Sequence, residues 1–155
     1  MHNPFISKDN VSLMTVELQP IDSLSRETLT DLIYSIFPEP HSHWDIQEEI
    51  EESFKDMVEK TSAIAWEGDK PIGAIICVDR EKIQIDHIGV LPNHQRMGVG
   101  RMLLRHAVDN AEEEIISRIP KDNQAIIELM EEEGFERADE ENNHYIYKYE
   151  MSEQN

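Results

Sequence analysis

The chain has 155 residues, of which 39% are hydrophobic and 30% are charged. This balance is typical of a soluble globular protein, and the length suits one hydrophobic core. The formal net charge of -19 repels the phosphates of nucleic acids and anionic membranes, so we expect neither as a partner. No apolar run reaches the ~18 residues that span a membrane, and the first residues lack the features of a secretory signal. The single cysteine, Cys77, lies in an apolar run, and we expect a cytoplasmic protein.

Residues 1–13 carry polar and turn-forming types without periodicity, and we predict a loose extension there, followed by a single domain over 14–151. Alternating or helical spacing of apolar residues marks the elements of this domain. In chain order, these patterns predict a strand at Met14–Leu18, a helix between Ser25 and Pro38, a helix opening at Asp45, strands at Thr61–Trp66, Pro71–Val78 and Ile83–Val90, a helix from Val99, a strand at Ile115–Ile119, a helix over Asn123–Glu133, and strands at Phe135–Asp139 and His144–Tyr149.

Local signals define the ends and faces of two of these helices. Asp45, with Glu48 three positions on, is typical of a capping arrangement, and Gly134 is a left-handed cap for the last helix. The helix that opens at Asp45 has an apolar stripe formed by Ile46, Ile50, Phe54, Met57 and Val58. The order βααβββαβαββ mixes hairpins with crossover connections, and it predicts an α/β domain with a mixed sheet.

The segment from Ile83 to Leu104 carries the chemistry. It reads as a strand, a loop and a helix, and Gly89 inside the strand indicates a bulge. Gly98 and Gly100 lie where the helix begins, and their missing side chains let a ligand approach the backbone. Because the first amides of a helix have no intrahelical partners, they would bind a diphosphate.

Known phosphate-binding patterns do not fit this loop. The third glycine of the dinucleotide fingerprint would fall on Leu103, and no Gly-Lys-Ser/Thr follows the glycines. Arg96 and Arg101 add charge-assisted donors in an otherwise acidic protein. An anion cradle of a third kind is therefore predicted, and a tight turn without a ligand is the alternative.

The loop resembles the acetyl-CoA motif of the GNAT superfamily of N-acetyltransferases. The pattern V-x-P-x-x-Q-R-x-G-x-G-x-x-L is spelled here by Val90, Pro92, Gln95, Arg96, Gly98, Gly100 and Leu103. The resemblance also includes two leading helices, a hairpin, Asn123 and a later helix that ends in Gly134 and Phe135. It therefore covers residues 14–150.

The resemblance implies a GNAT-like fold whose central mixed sheet is splayed at the cofactor site, with acetyl-CoA as co-substrate. An amine would attack the thioester directly, and a strand amide near Val90 would stabilise the oxyanion. The strand backbone would pair with the pantetheine arm. The residues that the resemblance assigns to the cofactor are Ile88, Val90, Gln95, Arg96, Met97, Gly98, Val99, Gly100, Arg101 and Asn123.

The resemblance places Asp86 and Gln84 where relatives hold a base or a water. Gln84 cannot accept a proton, so Asp86 is predicted as the base, and a surface carboxylate is the alternative. Strand alternation puts Gln84, Asp86 and Ile88 on one face, and Ile85 and His87 on the other unless the bulge intervenes. His87 is a second candidate base, and transfer through water is a third route.

The resemblance implies a tyrosine as general acid seven residues after Asn123, but Met130 stands there and cannot donate a proton. Tyr145 and Tyr147 lie in the terminal hairpin, where packing against the sheet is the simpler interpretation. The resemblance places Phe37, His41 and Trp44 beside the acceptor pocket. His41 and His43 lack a third ligand at a suitable spacing, so no metal is predicted.

These observations predict an N-acetyltransferase that moves an acetyl group from acetyl-CoA to a primary amine of a small molecule or peptide. The acidic field favours a cationic amine, although solubility alone would also explain the charge. A catalytically weak or inactive acyl-CoA sensor is the alternative function. The sequence marks no interface and leaves a homodimer open.

Overall fold

A computed structural model describes residues 15–37 and 42–151, in which seven strands form one sheet. The strands are β1 (Val16–Gln19), β2 (Ala63–Glu67), β3 (Lys70–Arg80), β4 (Lys82–Val90), β5 (Ile115–Pro120), β6 (Glu136–Glu140) and β7 (His144–Tyr149). The α-helices of these residues are α1 (Arg26–Ile36), α2 (His43–Lys55), α3 (Val99–Asn110) and α4 (Gln124–Glu132). Short 3₁₀ helices cover Ile21–Ser23, Glu59–Thr61 and Pro92–Met97. The predicted extension over residues 1–13 lies outside the described residues.

The sheet order is β1-β2-β3-β4-β5-β7-β6, and β4 with β5 is the parallel pair among these strands. The remaining neighbours are antiparallel, and hairpins join three of these pairs: β2 to β3, β3 to β4 and β6 to β7. Strand β7 enters between β5 and β6 and pairs with β5 along its whole length. The predicted α/β class with a mixed sheet and the order of the elements are confirmed.

Helices cover both faces of the sheet, as the apolar content of the central strands requires. On one face, Leu29 and Ile33 of α1 and Ile46 and Ile50 of α2 pack in one buried cluster with Ile76 of β3. On the other face, α3 and α4 close a larger cluster. Its buried members from these helices are Val99, Leu103, Leu104, Ala107, Val108, Ile127 and Met130.

Helix α2 begins earlier than predicted. Ser42 is its N-cap, and Ser42 and Asp45 form a reciprocal capping box, so Asp45 occupies the third helical position rather than the cap. The predicted apolar stripe is also too long at its end. Met57 and Val58 lie beyond α2, where Met57 forms an isolated bridge with Val78 of β3.

Helix α4 ends as predicted. Gly134 has φ of 98° and its amide bonds to the carbonyl of Glu131, while the Phe135 amide bonds to the carbonyl of Met130. This pair of hydrogen bonds is a Schellman motif, which a residue without Cβ accommodates with little strain. At the other end of α4, the Asn123 side chain accepts a hydrogen bond from the amide of Ile126 at 3.3 Å.

The bulge in β4 lies at Asp86, and the prediction of a bulge at Gly89 is wrong. Gly89 pairs in regular register with Ala74, whereas His87 opposes Ile76 and Ile85 opposes Cys77, so Asp86 is the extra residue. The extra residue reverses the alternation of side chains beyond it. This reversal decides which side chains of β4 face the candidate site.

Candidate active site

Strands β4 and β5 separate at the bulge. Their parallel pairing covers Ile83, Gln84 and Ile85, opposite Ile115, Ile116 and Ser117, and it ends there. A cavity of about 300 Å³ opens beyond this last pair. Its lining includes Asp86, His87 and Ile88 from β4 and Ser117, Arg118, Ile119 and Pro120 from β5. The sheet is therefore splayed as the resemblance implies, and the splayed strands have a closed end at Ile85 and Ser117.

A groove of about 520 Å³ continues from the splayed strands to the start of α3. The two cavities share the lining residues Phe37, Ile88, Asn123 and Ile126. Of the predicted cofactor residues, the groove is lined by Ile88, Val90, Gln95, Gly98, Gly100, Arg101 and Asn123. The structure therefore gathers seven of the predicted residues along one continuous surface.

The loop that enters α3 takes its shape from Gly98, which has φ of 78° and is the N-cap. A Cβ at this position would meet nothing within 4 Å, so the glycine is required by its backbone conformation rather than by crowding. The Gln95 side chain ties the loop to β4 through a hydrogen bond of 3.1 Å to the Val90 carbonyl. The first amides of α3 are thereby held at the groove without intrahelical acceptors.

The remaining cofactor candidates differ in position. The Val99 side chain is fully buried in the core, so only its backbone can contribute to the groove. Arg96 and Met97 belong to the 3₁₀ helix before Gly98, and their side chains lie outside the described part of the structure.

Arg101 is held by acidic residues at the end of α4. One of its terminal nitrogens lies 2.6 Å from Glu132, and the other contacts Glu133, which also binds Arg105 at 3.2 Å. The hydrogen bond to Glu132, followed by the bond to Glu133, raises the pKa of the Arg101 guanidinium. Because Glu132 lines the groove beside Arg101, the cation of this site is paired before any ligand enters.

The cavity at the splayed strands opens on its other side into a cavity of about 500 Å³ with an acidic lining. Glu49, Asp86 and His87 line both cavities. The α2 residues that line the outer cavity, here called the acidic mouth, are Asp45, Glu48, Glu49 and Glu52. Arg80 is the basic residue of its lining, so the mouth carries a strong excess of negative charge.

Asp86 lies at the junction of the acidic mouth and the splayed strands. It accepts a hydrogen bond of 2.8 Å from the Ser53 hydroxyl, and the Arg80 guanidinium spans both of its oxygens at 3.3 and 3.4 Å. The side chain is 16% exposed. The carboxylate is thus fixed in orientation by β3 and α2.

The bulge brings His87 to the same face of the sheet as Asp86. The His87 ring lies 3.9 Å from Glu49 of α2, and Asp86 contacts Ser53 of the same helix. Ile88 packs instead with the α3 and α4 cluster. The expectation that Asp86 shares a face with Ile88 and lies opposite His87 is therefore wrong, because the bulge intervenes.

The candidate groups for proton donation do not reach the splayed strands. Met130 is fully buried in the core and lines none of the described cavities. Tyr147 is also buried, and its hydroxyl donates a hydrogen bond of 2.5 Å to Glu131 and accepts one from Arg137. Burial raises the pKa of this phenol. Arg137 lies 3.6 Å above the ring of Tyr145, so both tyrosines serve packing within the described structure.

Of the residues predicted for the acceptor pocket, Phe37 lines both the splayed cavity and the groove. Trp44 is 65% exposed and borders a separate surface cavity, so it is not brought together with Phe37. His41 lies outside the described residues. Gln84 lies beside β5 and lines none of the described cavities.

Sequence reasoning missed Ser53, Arg80 and Ser117. Ser117 had a visible signal, because it is a lone polar residue between Ile115 and Ile119 on a buried strand face. Ser53 and Arg80 had none, since their contacts with Asp86 join parts of the chain that are distant in sequence.

In the described part of the chain, neither Cys77 nor a cluster of metal-binding residues forms a second candidate site. Cys77 is buried, as predicted, and burial raises the pKa of its thiol to about 12. Within residues 15–37 and 42–151, no group of three or more His, Cys, Asp or Glu residues is placed to hold a metal ion. In the same residues, every helix is too short or too polar to cross a membrane.

The family of the chain follows from a match to the acetyltransferase (GNAT) family over residues 26–135. The chain belongs to this family. A comparison with curated protein sequences finds no significant match.

Solved structures share the fold along nearly their whole length. A protein from Pyrococcus horikoshii OT3 has a TM-score of 0.76 at 19% identity, covering 88% of this chain and 99% of its own. Arabidopsis thaliana Naa50, in complex with the bisubstrate analogue CoA-Ac-MVNAL, has a TM-score of 0.73 at 21% identity, covering 89% and 100%. The ribosomal-protein-S18-alanine N-acetyltransferase from Escherichia coli has a TM-score of 0.70 at 18% identity, covering 90% and 97%.

Gly89 is a position where the site has no room for a side chain. A Cβ there would lie 2.5 Å from Ile36 and 2.7 Å from Phe37. We predict that Gly89→Ala lowers the free energy of unfolding by about 1–3 kcal/mol, because α1 and Phe37 must move. Chemical denaturation measures this loss.

Gly100→Ala is the matched control for that measurement. Its added Cβ would lie at an ordinary 3.4 Å from Leu129, and alanine favours a helix by roughly 1 kcal/mol over glycine. Gly100→Ala should therefore leave the free energy of unfolding unchanged or raise it. If Gly89→Ala is as stable as the native protein, then Phe37 does not pack against β4 as closely as in this structure.

Proposed function

We propose that the chain transfers an acetyl group from acetyl-CoA to a primary amine by direct attack on the thioester. The observation that carries this proposal is the splayed pair β4 and β5, whose cavity continues into a groove at the start of α3. Such a surface suits a long ligand with an anionic end. The complex of Naa50 with a CoA-containing bisubstrate analogue supports the choice of ligand.

The start of α3 would hold the pyrophosphate. The positive end of the helix dipole and the free amides around Gly98 and Gly100 favour an anion at this end of the groove. Arg101 would contribute after exchanging Glu132 for a phosphate oxygen, since guanidinium binds both anions in the same geometry. Glu132 therefore competes with the cofactor.

The edge of β4 beyond Asp86 would hold the pantetheine arm. Strand β4 has no β5 partner from Asp86 to Val90. The Val90 carbonyl is taken by Gln95, and the other backbone groups on that side would pair with an extended ligand. A backbone amide of β4 beside the thioester carbonyl would stabilise the oxyanion of the tetrahedral intermediate. Binding along the strand would also align the thioester with the incoming amine.

The acidic mouth would select the acceptor. Carboxylates of α2 attract a positively charged amine and raise its local concentration beside Asp86. We therefore propose a cationic primary amine as acceptor, in a peptide or a small molecule. The peptide portion of the Naa50 ligand and the protein substrate of the Escherichia coli enzyme support a peptide or protein amine.

Asp86 would take the proton that the ammonium must lose before attack. It lies where the acidic mouth meets the splayed strands, and Arg80 and Ser53 fix its carboxylate without covering the cavity. Transfer through an intervening water satisfies the geometry of general-base catalysis. His87, which lines the same cavity, is the competing base.

Asp86→Asn and His87→Gln distinguish these bases. We predict that Asp86→Asn lowers kcat about 100-fold, because the amide cannot accept the proton, whereas His87→Gln lowers kcat by less than about 10-fold. Measurements of kcat for both variants with saturating substrates test this assignment.

Arg80→Gln is the structural control, because it breaks the same ion pair but keeps the carboxylate. If it lowers kcat as much as Asp86→Asn, then Asp86 acts through the ion pair and not as a base. A loss of kcat in His87→Gln as large as the loss predicted for Asp86→Asn would instead assign the proton to His87.

The function itself is tested by acetyl transfer to a panel of peptides and cationic amines. We predict turnover with at least one amine, and weaker CoA binding by Gly98→Asp than by Gly98→Asn. Both side chains must adopt positive φ, which Asn and Asp tolerate best among non-glycine residues, and they differ chiefly in charge. The carboxylate should raise the Kd for CoA at least ~10-fold over the amide. Equal Kd values would contradict the pyrophosphate site.

An acyl-CoA sensor is the second candidate function. The burial of Met130 and the hydrogen bonds of Tyr147 leave the usual donor position without an acid in the described structure. Tight CoA binding with no turnover on any amine would favour the sensor. Turnover with one amine would remove it.

A further inference from the structure

Ser117 is a buried serine at the closed end of the splayed strands. It is 4% exposed, it lines the cavity, and it is the β5 partner of Ile85 in the last parallel pair. Its neighbours on the same strand face, Ile115 and Ile119, are apolar and buried. The hydroxyl is therefore the polar group of β5 on that face of the cavity.

The Ser117 hydroxyl makes no hydrogen bond with any residue that the structure describes, whereas other buried serines do. Ser53 donates to Asp86 at 2.8 Å, and Ser62 donates to the Val58 carbonyl at 2.8 Å while accepting from the Cys77 amide at 2.9 Å. The Ser117 oxygen is not sealed in the core, because the buried side-chain atom without a partner in the described structure is Nδ1 of His94; the Ser117 hydroxyl instead opens into the cavity. A ligand in the cavity can therefore form a hydrogen bond with this hydroxyl.

We propose that Ser117 donates a hydrogen bond to the sulfur of CoA and so stabilises the departing thiolate. This inference rests on the proposed acetyl transfer. A pantetheine arm that follows β4 from the start of α3 must end where β4 and β5 pair again, which is at Ile85 and Ser117. The reactive end of the arm would then lie beside this hydroxyl.

In the reaction, the amine nitrogen forms a bond to the acetyl carbon, and the bond between that carbon and sulfur breaks. Sulfur leaves with the electron pair as a thiolate. Asp86 has by then passed the proton of the ammonium to solvent through water, so it can take the second nitrogen proton, which is lost as the amide forms. Ser117 keeps its own proton, because a serine hydroxyl is a much weaker acid than a thiol, and it stabilises the charge by its hydrogen bond. Solvent protonates the thiolate after release.

Other side-chain N–H donors of the described lining are His87, Arg118 and the amide nitrogen of Asn123, but none of them belongs to the last β4–β5 pair, as Ser117 does. Ser117 is the sole hydroxyl in the described lining. On the α4 side, the Asn123 oxygen accepts from the Ile126 amide, and Ile126 itself is apolar. Met130 is enclosed in the core, so Ser117 takes over part of the task of the missing acid.

The test uses the full chain and CoA itself. Titration of bound CoA, followed by the ultraviolet absorbance of its thiolate, gives the pKa of the thiol in the native protein and in Ser117→Ala. We predict that the pKa is about one unit higher in Ser117→Ala, because a hydrogen bond to the charged form is lost. In the acetyl-transfer assay, kcat should fall at least ~10-fold with little change in KM for the amine.

Folding controls separate this role from a structural one. Ser117→Ala should keep Tm within ~2 °C of the native protein, because no hydrogen bond within the described structure is lost. Ser62→Ala should lower Tm, because it breaks two buried hydrogen bonds. Ser117→Thr, which retains the hydroxyl, should restore the lower thiol pKa.

The outcomes for Ser117 and for the acetyl transfer are separable. Equal thiol pKa values in the native protein and in Ser117→Ala would overturn the role of Ser117, even if acetyl transfer is observed. A shifted pKa without turnover on any amine would support the contact with sulfur and reject the proposed transferase activity. A large loss of Tm in Ser117→Ala would show that the serine is structural.

Discussion

The extra residue of β4 at Asp86 is the constraint on which the rest of the site depends. Because Asp86 has no partner in the register with β3, the strand changes its twist and its alternation at this residue. Pairing with β5 ends at Ile85, and the two strands then diverge. The same residue turns Asp86 and His87 toward α2 while Ile88 returns to the core. One bulge thus creates the cavity and supplies its polar wall.

The two ends of this opening differ in their charged groups. At the mouth, carboxylates of α2 surround Asp86 with Arg80 as the basic residue of the lining. At the groove, the start of α3 offers amides and Arg101, but Glu132 and Glu133 already bind that cation. In a chain with net charge -19, a free cation would be paired by the protein itself. No side chain caps the start of α3, so its backbone amides remain open to the anion that we propose there.

Local signals made most of the fold predictable from the sequence. The order of elements, the cap at Gly134 and the loop from Gln95 to Gly100 rest on residues that are close together in the chain. The start of α2 was misplaced because both Ser42 and Asp45 are capping types, and only the geometry shows which one is the cap. The bulge was misplaced for a different reason. A glycine in a strand indicates irregularity, but the irregular residue is Asp86, and its hydrogen bonds to Arg80 and Ser53 depend on tertiary packing.

A crystal structure with acetyl-CoA bound is the most direct test of this account. We predict that the pyrophosphate lies on the amides around Gly98, that the pantetheine arm follows β4 from Val90 to Ile88, and that the thioester ends beside Ile85 and Ser117. Asp86 should keep its contacts with Arg80 and Ser53, while Arg101 should leave Glu132. The account is contradicted if the cofactor binds elsewhere, or if β4 and β5 pair beyond Ser117 in the complex.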